Sequence, residues 1–189
     1  MLDLEALISP EHGEDVLNVN GVFFDKILVC SDLIARDEEE DRLYEIAADV
    51  ITKALAEEPR YRVISEVYWQ EALDDIIEGN YADPGSSIEG LSGDAFWRAN
   101  MLRYQRLFIT ENGAVGLGPS GTSIGDEVWI LSGGRSPFLL GPLHSDGTDV
   151  KDRGASYHYM FRGDVFIPGI MEGEAVDSRI ENQRFVHIH

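Results

Sequence analysis

One cysteine, Cys30, is present in 189 residues, so no intrachain disulfide can form. A chain without a disulfide framework suits a reducing compartment, and a cytoplasmic location is expected. Cys30 lies in the apolar run ILVCSDLI and reads as a buried, inert thiol. No eighteen consecutive residues are apolar, which argues against a helical membrane span. The opening MLDLEALISPEHGED is acidic and has no basic segment ahead of an apolar one, so it matches neither a secretory signal nor a transit peptide. Basic residues are scarce. Fifteen Lys and Arg face 35 Asp and Glu, a formal net charge of −20 that lies mostly in the first hundred residues. Such a surface repels phosphate backbones, and no nucleic-acid partner is expected.

Motifs of familiar chemistry are also missing. There is no His-Glu-x-x-His and no Cys/His spacing of a zinc site. His187 and His189 would share one face of a strand, with His158 or His144 as a third candidate ligand; no metal is expected there. GLGPSGTSIG has glycines and hydroxyls but no lysine, and strands flank it where a phosphate loop needs a following helix. Ser132 precedes Gly133-Gly134 but follows a leucine, so no nucleophile elbow exists. Asp74 and Asp75 are adjacent on a predicted helix and diverge. Glu172 and Glu174 read as turn-stabilising acceptors. No cofactor is implied by any of these patterns.

What the chain does have is a change of grammar along its length. Residues 1–15 read as a loosely packed lead, and Asn20-Gly21 between apolar runs predicts a hairpin with strands near 16–19 and 22–31. Acidic residues 37–41 then precede Leu43, Ile46, Ala47, Val50, Ile51, Ala54 and Leu55 at helical spacing, closed by Pro59. A second helix is predicted from about Tyr61 to Glu78, and a third from about Asp94 to Tyr104. Short apolar runs with glycine joints follow, at Leu107–Thr110, Ala114–Leu117, Glu127–Leu131, Phe138–Leu140, Tyr157–Arg162, Val165–Ile167 and Arg184–Ile188, with a loop over His144–Ala155. The expected fold is α+β. A hairpin and three helices (1–104) pack on a small antiparallel β-barrel or curled sheet (105–189) in one compact unit.

Particular residues carry a resemblance. The block Arg106–Pro119, Gly125-Asp126-Glu127-Val128, Pro137-Phe138 and the closing VFIPGIMEGEA of residues 165–175 resemble the C-terminal region of fungal heterokaryon-incompatibility (HET) domain proteins, as do AFWR at 95–98 and GVFFDKI at 21–27. The likeness runs over roughly residues 16 to 177. Gly141-Pro142 after Leu140 departs from the arginine often found there in the family. Nothing resembles the N-terminal signalling domain, so the chain is expected to be the C-terminal module standing alone.

Two functions follow as expectations. The resemblance implies a cofactor-independent cyclase of the Diels–Alderase type in fungal secondary metabolism, acting on a hydrophobic small molecule. Such a reaction needs a shaped apolar chamber and at most a donor or two, and so leaves no motif. Tyr157, His158 and Tyr159 are the expected catalytic residues, and Trp97, Tyr104, Trp129 and Phe138 the expected lining. In a strand Tyr157 and Tyr159 share one face and His158 takes the other. The alternative is a non-catalytic interaction or regulatory module. The oligomeric state is left open.

Overall fold

The computed structural model describes residues 7–9, 16–35, 40–58, 66–78, 102–134, 136–143, 157–171 and 183–189. The described elements are β1 (Leu7–Ser9), β2 (Val16–Cys30), α1 (Glu40–Glu57), α2 (Glu66–Glu78), β3 (Gln105–Thr110), β4 (Val115–Pro119), β5 (Glu127–Leu131), β6 (Phe138–Pro142), β7 (Tyr157–Asp164) and β8 (Gln183–Ile188). The chain divides into two units: Met1–Lys26 with Gly125–His189, and Ile27–Ile124. The division falls within β2.

In the central unit, α1 buries Ala47, Val50, Ile51 and Ala54, and α2 buries Trp69, Ala72, Leu73, Ile76 and Ile77. Both sets recur at the helical interval that lines up one face. These faces cover β3 and β4, which pair antiparallel from Gln105–Pro119 to Ile109–Val115. Trp69 is fully buried and its indole N–H donates to the Gly113 carbonyl at 2.9 Å, so its one polar atom is satisfied inside the core.

In the other unit the strands close a ring. One edge of β2 pairs with β5 over Gly21–Lys26, and the other edge pairs with β8 over Leu17–Val22. β5 pairs with β6 and β6 with β7. The ring shuts where Tyr157, His158 and Tyr159 of β7 meet Val186, His187 and Ile188 of β8. Closure leaves no free edge within the ring.

Several expectations are corrected. Asn20-Gly21 is not a turn: β2 runs straight through it for 15 residues. Gly21 is needed for a different reason. A Cβ there would meet Leu131 Cδ2 at 2.9 Å and the Ile130 carbonyl at 3.1 Å, so the glycine admits close backbone approach at a point where β2 is paired on both edges. The lead contains β1, which pairs antiparallel with β2 from Leu7–Asn18 to Ser9–Val16. The barrel is not purely antiparallel, because β7 and β8 run parallel. At Val165–Ile167 only an isolated bridge at Phe166 forms. The third predicted helix lies largely outside the described residues; its last three, Leu102–Tyr104, form a turn. The His144–Ala155 loop also lies outside them.

Candidate functional site

The pleat of β5 sends Glu127, Trp129 and Leu131 to one face and Val128 and Ile130 to the other. The first face looks into the ring. There Trp129, Leu131, Leu140, Tyr159, Val186 and Ile188 form one buried cluster, with Val19, Phe23 and Phe138 packed against it. Trp129 meets Phe23 edge-on at 5.7 Å between ring centres and Tyr159 edge-on at 5.6 Å, the arrangement favoured by ring quadrupoles.

Among these rings sits one carboxylate. Oε2 of Glu127 accepts the Trp129 indole N–H at 2.9 Å and the Tyr159 hydroxyl at 2.8 Å. Trp129 is 1% exposed and Tyr159 3%, so both donors are bonded to the carboxylate away from bulk water. Glu127 itself is half-buried, as are Phe23 and Phe138. Lys26 of β2 stands directly opposite Glu127 in the β2–β5 ladder. Glu127 is the residue that sequence reasoning missed. The signal was a charged residue two positions before Trp129, in phase with an otherwise apolar strand face.

The opposite face of the β7–β8 seam is built differently. His158 is exposed, and its Nδ1 lies 2.7 Å from His189 Nε2, one nitrogen donating to the other. The His187 ring stacks on His158 at 5.0 Å, and the His189 ring is tilted at the same distance. Burial first, then the neighbouring His187 and His189 rings, hold the His158 imidazole below the usual histidine range. Among the described residues no group of three or more His, Cys, Asp or Glu side chains is placed to share a metal ion. Apolar side chains also stand in solvent along this face: Phe185, at 67% exposed, and Met160.

The expected site residues therefore divide. Trp129, Tyr159 and Phe138 meet in the ring interior, and His158 lies on the outer face with the histidines. Of Tyr157 only the backbone is described, in β7. Tyr104 belongs to the central unit, 55% exposed, at a turn with φ of 59°. Trp97 lies outside the described residues.

No described helix is long and apolar enough to cross a membrane. No solved structure gives a significant match to the chain. A stretch of 74 residues, 39% of the chain, is 31% identical to heterokaryon incompatibility protein 6, OR allele, of Neurospora crassa, and spans 10% of that protein's length. The family model for the Het-6 beta-barrel domain matches residues 86–188, more than half of the chain, and the chain belongs to that family.

Proposed function

We propose that the ring of strands serves as a non-catalytic recognition module that docks a protein partner through the outer face of β7 and β8. The observation that carries this reading is the exposure of Phe185, which shares its strand face with His187 and lies across the seam from the strand carrying His158 and Met160. Phe185 precedes the paired stretch of the seam and Met160 follows it, so the two exposed apolar groups flank the His158–His187 pair, and such groups in solvent favour adaptable contact. The interior positions are occupied by the chain's own rings, locked to Glu127. The net charge of −20 steers towards a basic partner. The name of the Neurospora relative, an incompatibility protein, supports recognition as the task.

The test is a photo-crosslinking side chain placed at position 185, and separately at exposed Glu45 on α1, in the fungal host. One adduct formed from 185 alone, lost in Met160→Asp and rebuilt from the purified pair, supports the reading. Equal labelling from both positions overturns it.

A second reading, the cofactor-free cyclase, is favoured by the Trp129 and Tyr159 donors converging within an aromatic surround, which a guest carbonyl could borrow. It requires that purified protein convert an apolar polyene to an isomer of unchanged mass, and that Tyr159→Phe slow the conversion.

A further inference from the structure

We infer that the three histidines on the β7–β8 seam form a proton-operated latch: when they take up protons, β7 parts from β8 and the ring opens there while its other strand pairs hold. The latch lies on the face proposed for docking but acts with or without a partner. Among the described residues the seam has three residue pairs, Tyr157–Val186, His158–His187 and Tyr159–Ile188, followed by the His189 N–H donating to the Tyr159 carbonyl at 2.9 Å. The neighbouring ladders are longer, with six pairs between β2 and β8 and five between β6 and β7. Imidazoles thus stand at the middle and the end of the junction that shuts the ring.

Neutral rings suit this junction. His158 Nδ1 and His189 Nε2 are 2.7 Å apart, a bond that needs one N–H and one lone pair. A first proton is tolerated, because an imidazolium still donates to a neutral ring. A second leaves two donors facing each other, and like charges at that separation repel. His187, stacked on His158 at 5.0 Å, adds to the repulsion when protonated. Burial and the other two rings together already disfavour the charged form of His158. β6 brings Pro142 and the adjoining Leu143 alongside, and β2 brings Asn18 opposite His187, all of them uncharged. Further along β7 the first charge is Arg162, a cation that leans to Asp126 at 3.5 Å. Parting the strands separates the imidazoles and returns them to water, so the open form takes up protons that the closed form resists.

Amide hydrogen exchange followed by NMR, expressed as protection factors, compares the full chain at about pH 7.5 and about pH 5.5. The His189 amide reports the seam. The Leu143 amide, which donates to the His158 carbonyl at 2.9 Å from the other edge of β7, and the Ser132 amide, which donates to the Asn20 carbonyl at 2.8 Å, report strand pairs expected to hold. A proton resisted by the closed seam and accepted at the ordinary 6.5 by the open one favours opening by up to about tenfold at the lower pH. His189 protection should therefore fall several-fold, and that of Leu143 and Ser132 by less than about twofold. The fall should be lost in His158→Gln and reduced in His189→Gln, where the backbone amide at position 189 remains; unchanged Ser132 protection at the higher pH shows that each variant folds. Full retention of the fall in both variants would overturn the inference, as would no fall at His189 or an equal fall at all three amides, the mark of global unfolding.

Discussion

Removing the Tyr159 hydroxyl tests how the ring interior is held together. Tyr159→Phe deletes a 2.8 Å hydrogen bond to a carboxylate and keeps the ring. Bonds to charged groups contribute roughly 1.5–3 kcal/mol, and because Glu127 is half-buried the lower part of that range, about 2 kcal/mol, applies. For a chain of this length that is a fall in Tm of roughly 4–8 °C. Glu127→Leu does something different. It strands the Trp129 N–H and the Tyr159 O–H together, each at about 1–3 kcal/mol, partly offset by the apolar side chain gained. In that background Tyr159→Phe removes an orphaned donor, so it should be neutral or stabilising by up to about 1 kcal/mol. Urea unfolding followed by tryptophan fluorescence measures all four corners of the cycle. A Tyr159→Phe cost that agrees within about 0.5 kcal/mol in the two backgrounds would refute the coupling, and with it the role given to Glu127.

Other substitutions probe other parts of the chain. Gly21→Ala should cost about 1–3 kcal/mol, because the added carbon meets Leu131 and the Ile130 carbonyl; an unchanged urea midpoint would contradict the close approach. Tyr104→Asn should raise stability by up to about 1 kcal/mol, since asparagine tolerates the left-handed φ of 59° better and the ring is mostly in solvent; a lower Tm would show that the tyrosine packs. For His158 the folded-state pKa is depressed, so below the ordinary value of 6.5 the unfolded chain takes up the proton first. Its contribution is therefore intact above that pH and is lost as pH falls through 6.5 towards the depressed value. A pH series of Tm should show His158→Asn flattening this acid-side decline; identical slopes would deny it.

The parts of the fold written in local pattern were legible. Helical spacing located α1, and a short apolar run between glycine joints placed β5 at Glu127–Leu131. Features set by distant partners were not. Asn20-Gly21 looks like a turn to any local rule, and only the strands on both sides of β2 explain why a glycine stands mid-strand. The parallel meeting of Tyr157–Tyr159 with Val186–Ile188 has no signature in either segment. Strand alternation did separate Tyr159 from His158, one buried and one exposed. Glu127 stayed hidden because acidic residues are abundant in this chain, and only its hydrogen bonds distinguish it from a solvated charge.

The family match begins at residue 86, whereas the strand that joins β5 to β8 is β2, far upstream. A fragment cut to the matched segment would therefore be a barrel missing a stave. Its two raw margins would be open to strand exchange with other copies, and clumping during purification would reflect the trimming and not the native fold. Useful expression boundaries start before Val16, and β2 is synthesised ahead of β5 and β8, the neighbours that complete the ring around it.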